Sequence, residues 1–119
     1  MKSVKILWLS RHELTEEQKD GLTRVFPDSD ISIDKLDQTI NEETIKELVE
    51  TDHDAFAVVL PAKMLALFFG YLKHHQKLIV PLSKRVLVKD PNGGESKVQF
   101  VYDGWEVIDD LVYESHLIK

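Results

Sequence analysis

The chain has 119 residues, a formal net charge of -6, 43% hydrophobic and 30% charged residues, and no cysteine. That length builds one domain around one core, and the balance of apolar and charged residues excludes a disordered chain. The missing cysteine excludes disulfide scaffolds, zinc ribbons and thiol catalysis, and the acidic balance argues against long nucleic acid as a partner.

The charge is uneven. Residues 1–60 hold fourteen acids and seven bases, residues 61–119 seven acids and eight bases. A basic site therefore draws on the second half. No apolar run approaches the ~18 residues of a membrane span, and no basic, apolar leader opens the chain, so the expectation is a cytoplasmic protein with no membrane partner.

Val4 to Leu9 reads as a buried strand, interrupted by Ser10-Arg11-His12-Glu13. Thr15 and Gln18 have the spacing of a capping box, and the helix behind them carries Leu22, Val25 and Phe26 before Pro27 stops it. Ile31 to Leu36 alternates as a half-buried strand near a sheet edge. Asn41 suits the N-cap of a second helix, with Ile45, Leu48 and Val49 opposite the solvated Glu42, Glu43, Glu47 and Glu50. Ala55 to Leu60 is the most evidently buried strand.

A third helix is expected from Ala62 to His75. It is apolar on more than one face, which suits a central helix or a subunit interface, and His74 and His75 would face its C-terminal dipole. A fourth strand is expected over Leu78 to Leu82. Val86 to Val88 and Val98 to Tyr102 then flank the turn cluster Asp90-Pro91-Asn92-Gly93-Gly94 as a β-hairpin. Gly104 breaks the alternation. Trp105 to Leu117 fits a further strand or a short terminal helix, with Trp105 in the core, at an interface, or stacked on a base.

The order β-α-β-α-β-α-β plus a hairpin predicts a small three-layer α/β domain, Rossmann-like, with a mainly parallel sheet and strand order 2-1-3-4. In such sheets ligands bind beyond the carboxyl ends of the strands, at the switch point. The first strand ends in Ser10-Arg11-His12, the third in Pro61-Ala62-Lys63 and the fourth in Ser83-Lys84-Arg85. Four cations, one histidine and two hydroxyls, with the amides at the starts of two helices, thus predict a phosphate-binding rim. Taken singly, Lys63, Lys84 and Arg85 also fit ordinary solvated charges, and Ser10 or His12 could simply close the first loop. His53, between two aspartates, reads as a solvated loop residue. No spacing of His, Asp and Glu indicates a metal site, and no glycine-rich phosphate loop is present.

Leu9-Ser10-Arg11-His12 followed by Leu14-Thr15-Glu16-Glu17-Gln18 resembles the opening of small Rossmann-like CRISPR-associated proteins of the CARF-like ring nuclease group, which includes phage-carried relatives. Ser83-Lys84-Arg85 running into a hairpin is similar to the same group. The resemblance covers about residues 4–18 closely and 78–102 loosely. It implies a homodimer that binds a cyclic oligoadenylate across its two-fold axis and cleaves it without metal or other cofactor. A ribose 2′-OH would attack the adjacent phosphate, leaving a 2′,3′-cyclic phosphate. In that chemistry Arg11, Lys84 and Arg85 would stabilise charge, His12 would act as acid or base, and Ser10, Ser83 and the segment Pro61-Ala62-Lys63 would hold phosphates. Two alternatives from other classes stand beside it: a non-catalytic sensor or sponge using the same rim, and a protein-interaction module built on the third helix.

Overall fold

A computed structural model describes residues 2–109 and 115–118. In chain order the elements are β1 (Lys2–Leu9), α1 (Glu16–Val25), β2 (Ser29–Leu36), α2 (Glu42–Leu48), β3 (Ala55–Val58), α3 (Ala62–Tyr71), β4 (Lys77–Val88), β5 (Lys97–Ile108) and β6 (Ser115–Ile118). The strands form one sheet in the order β2-β1-β3-β4-β5-β6. The first four are parallel to one another; β4–β5 and β5–β6 are antiparallel. The fold is the expected small Rossmann-like domain, with β2 at one edge.

Both faces of the central part of the sheet are covered. On one face α1 lies over Val4, Ile6, Trp8, Ala55, Ala57, Ile79, Trp105 and Val107. On the other, α2 and α3 close over Leu7, Leu9, Phe56, Val58 and Leu78. The alternation of these residues along each strand is the period-2 signature of a sheet buried on both sides. All four residues of β3 are fully buried.

The helix starts follow the sequence signals. The Thr15 hydroxyl accepts the Gln18 N–H at 3.1 Å, and the Gln18 side-chain carbonyl accepts the Thr15 N–H at 2.9 Å. Asn41 caps α2 by accepting the Thr44 N–H at 2.9 Å. Gly21, inside α1, is required by packing: a Cβ there would collide with the Tyr102 hydroxyl and lie 2.9 Å from the Trp105 ring.

Four expectations are corrected. First, α3 ends at Tyr71, so His74 and His75 cap no helix. The side chain of Gln76 explains the stop. It accepts the Lys73 N–H at 2.8 Å and donates to the carbonyls of Val49 and His53 at 3.0 and 3.2 Å, drawing the chain into a turn. Second, His53 is not solvated. Its side chain is 12% exposed, with Nε2 2.8 Å from Asp34 and Nδ1 2.7 Å from the Thr51 hydroxyl. Third, β3 stops at Val58 rather than Leu60. Fourth, the expected fourth strand and the first arm of the hairpin are one strand, β4. Ser83-Lys84-Arg85 lies in its middle, paired with Tyr102, Val101 and Phe100.

The last correction shapes the molecule. β4 pairs with β3 only over Lys77 to Ile79 and then runs past the carboxyl edge of the sheet with β5 as its sole partner among the described residues. The two strands project as a ribbon, and the longest dimension of the molecule reaches 53 Å. Its tip is the expected turn: Asp90 accepts the Asn92 N–H on its side chain and the Gly93 N–H on its backbone carbonyl, and Gly93 has φ 81.

Gly104 does not end β5. Between the pairs Pro81–Trp105 and Ser83–Tyr102, Asp103 and Gly104 oppose Leu82 alone. This is a β-bulge, and Gly104 takes the positive φ of 108 that it needs. The extra residue puts Trp105 and Tyr102 on the same face, toward α1. Trp105 continues β5 and is fully buried, its indole N–H donating to the Gln18 carbonyl at 3.0 Å. Its position is therefore core, not a base platform. The segment read as strand or terminal helix supplies the end of β5 and β6 as far as Leu117; its residues 110–114 lie outside the described residues.

Candidate functional site

A cavity of about 360 Å³ opens at the switch point between β1 and β3. Its origin is local. β3 ends at Val58, while β1 runs on into the loop 10–14 and β4 continues past the edge, so a gap is left above β3. Pro81 contributes to the gap, because it has no N–H to extend a ladder at that level. The loop after β1 supplies Ser10, His12 and Glu13, the start of α1 supplies Thr15 and Gln18, and the ribbon supplies Pro81 to Ser83 and Phe100 to Tyr102; Trp8 and Val59 complete the lining.

The loop is held in shape on several sides. The Trp8 indole N–H donates to the His12 carbonyl at 2.7 Å, and the His12 N–H donates to the Ser10 hydroxyl at 3.1 Å. Lys35, at the end of β2, donates to the Arg11 carbonyl at 3.2 Å and to the Glu13 carboxylate at 2.7 Å. That lysine holds the Glu13 carboxyl below its usual range by hydrogen bond and charge. The backbone around His12 is thus fixed while its imidazole is exposed, and among the described residues the ring has no hydrogen-bond partner.

Of the residues the sequence singled out, Ser10, His12 and Ser83 line this cavity. Arg11, Lys84 and Arg85 do not, although Arg11 lies between two lining residues and the other two pair across the ribbon with Val101 and Phe100, which line it. Strand alternation places Ser83 and Arg85 on the face of Tyr102 and Phe100, and Lys84 on the opposite face. Pro61 caps α3 without a side-chain hydrogen bond. Ala62 and Lys63 border a separate, wide hollow of about 790 Å³ on the outer side of α3, shared with Ala66, Leu67, Gly70 and Tyr71. The expected rim is therefore two groups: a cavity with hydroxyls, an imidazole and neighbouring cations, and Lys63 on α3.

Trp8, Thr15, Gln18, Val59, Phe100 and Tyr102 were not foreseen at the site. Thr15 and Gln18 were legible as a cap, but a cap at a helix start beside the switch point also faces the ligand edge. Phe100 and Tyr102 were legible as a hairpin strand; their place at the cavity depends on β4 and the hairpin being continuous. The Tyr102 hydroxyl is buried and lacks a hydrogen-bond partner among the described residues. Burial pushes its phenol above the usual range, against the opposing pull of Arg24.

Among the described residues no group of three His, Asp or Glu could hold a metal ion, and no helix is long and apolar enough to cross a membrane. The arrangement can bind an anion through hydroxyls and nearby guanidinium, shield it with aromatic walls, and present one imidazole for proton transfer. No family model, no curated protein and no solved structure matches the chain.

Proposed function

We propose that the chain is a metal-independent ring nuclease that binds and cleaves cyclic oligoadenylate messengers of type III CRISPR defence, acting in the cytoplasm of a host or in the service of a phage. The observation that carries this reading is the cavity at the switch point, where the imidazole of His12 stands with the hydroxyls of Ser10, Thr15 and Ser83 and the aromatic rings of the ribbon. In this reaction the ribose 2′ oxygen forms a bond to phosphorus as the bond to the 5′ oxygen breaks. The products are a 2′,3′-cyclic phosphate and a 5′ hydroxyl. His12 supplies the proton that the departing 5′ oxygen takes up, and the 2′-OH gives its proton to solvent. Ser10 and Ser83 orient phosphate oxygens, and Arg85, beside Phe100, offsets charge on phosphorus. Arg11, between two lining residues, serves the remaining phosphates of the ring, whereas Lys84 lies on the opposite face of the ribbon and takes no part at this cavity.

A cavity of about 360 Å³ is at the small end for a ligand site. A ring of several nucleotides extends beyond it, and a second copy related by a two-fold axis would complete the enclosure. Leu87, 72% exposed, and Val98 stand opposite each other on the ribbon and offer apolar surface for that dimer.

The test is a cleavage panel of cyclic oligonucleotides of different ring size and base, with and without chelator. Turnover should be insensitive to chelator and fall about 10²–10⁴-fold in His12→Ala, the usual contribution of a positioned acid or base. Tight binding without product would leave a sensor or sponge. Failure to bind any member of the panel overturns the reading in favour of a protein-interaction module. Light scattering that shows a strict monomer at micromolar concentration, with ligand present, counts against the two-fold pocket.

A further inference from the structure

We propose that Phe100 is the platform on which an adenine base of the ligand stacks, with Arg85 beside it to hold that nucleotide's phosphate. The inference rests on the nucleotide reading above and assigns a base subsite within it.

Phe100 is 66% exposed and forms part of the cavity wall. The other phenylalanines behave differently: Phe56 and Phe68 are fully buried, and Phe26 and Phe69 pack against the two cores. An aromatic ring left largely in water beside a cavity that also carries hydroxyls and an imidazole has an open π face, and any nucleobase can cover such a face. The bulge at Asp103 and Gly104 decides which way the ring points. With it, Phe100 and Tyr102 share the face of Trp105, on the side of the β1 loop and α1; without the extra residue the two sets would point to opposite sides.

Arg85 is the direct cross-strand partner of Phe100. Such partners have Cβ atoms about 4.5–5.5 Å apart on one face of the ribbon. A ring for the base and a guanidinium for its phosphate are therefore adjacent, a spacing suited to one nucleotide. Across the cavity stand Ser10, His12, Thr15 and Gln18, the groups that would meet the sugar and the next phosphate. Ser83, the next ribbon residue on the same face, adds a hydroxyl below Arg85.

The experiment titrates the cyclic oligoadenylate panel into the wild type, Phe100→Ala, Phe100→Leu and Phe100→Trp, reading affinity, oligomeric state and indole emission. The expected loss in Phe100→Ala is about ten-fold or more, within the range of one base–aromatic stack. Phe100→Leu should recover only part of it. Phe100→Trp should keep wild-type affinity, and its indole emission should be quenched on ligand addition beyond any change from Trp8 and Trp105 in the wild type. If the wild type binds and Phe100→Ala binds equally well, or the indole at position 100 is indifferent to bound ligand, the base subsite is wrong while the nucleotide reading survives. If loss of affinity comes with dissociation of a wild-type dimer, the ring is an interface residue and the subsite is again wrong. If the wild type binds none of the panel, both readings fall together.

Discussion

Two phenylalanines on strands separated by β4 in the sheet order show how differently its two halves use the same side chain. Phe56 on β3 is fully buried against Phe68, their ring centroids 5.1 Å apart. Phe100 on the ribbon is largely in water. β3 is short, central and covered on both faces, so its apolar residues hold the fold together. Beyond Tyr102 the ribbon runs out from the two cores, so exposed apolar residues such as Phe100 add little to stability.

Substitutions can break that contrast. Phe56→Ala should cost about 3–5 kcal/mol, the range for a large aromatic removed from a packed core, measured by urea unfolding. Gly21→Ala comes next. An exposed helix would gain from this change, but here the methyl group meets Tyr102 and Trp105, so we expect a loss of about 1–3 kcal/mol. A gain would show that the ribbon base yields easily and is not fixed by α1. Phe100→Ala should change stability by less than about 0.5 kcal/mol, as exposed positions do. A loss close to that of Phe56→Ala would abolish the distinction between the two regions.

The smallest effect concerns the loop that borders both regions. Glu13 is held below its usual pKa by Lys35. A carboxyl depressed in the folded state contributes stability above its unfolded value, and the contribution is lost as pH falls through the folded value. Glu13→Gln should therefore be slightly less stable than wild type near neutrality. The two melting curves should converge in acid, below the ordinary glutamate value of 4.5. A gap that persists in strong acid would show that Lys35 does not hold the loop through charge.

The parallel half was legible because burial writes itself into the sequence. The run Ala55 to Val58 is apolar without interruption, and strands alternating with capped helices leave few possible orders. From that order the switch point followed, and with it the loop that carries Ser10 and His12. The ribbon was harder. Ser83-Lys84-Arg85 looks like the end of a strand when strands are expected to be buried, yet a two-stranded ribbon in solvent carries polar residues on either face without losing its ladder. Gly104 misled for a related reason: it marks a bulge as readily as a stop. His53 looked solvated because both sequence neighbours are acidic, whereas its Nε2 partner, Asp34, is brought from β2 by the fold and only Thr51, on Nδ1, is local.

The hydrogen bond from the Trp105 indole to the Gln18 carbonyl spans 87 positions of the chain. Gln18 is also half of the capping box that starts α1. The first helix of the protein thus finds part of its seat on nearly the last strand. The turns of α1 form from local contacts, but its seat on Trp105 needs β5 in place. Contacts of such separation are slow to make, because the loop between them must first be closed against its entropy. The cavity beside Gln18 therefore depends on residues as far apart in the chain as Trp8 and Tyr102 being brought together.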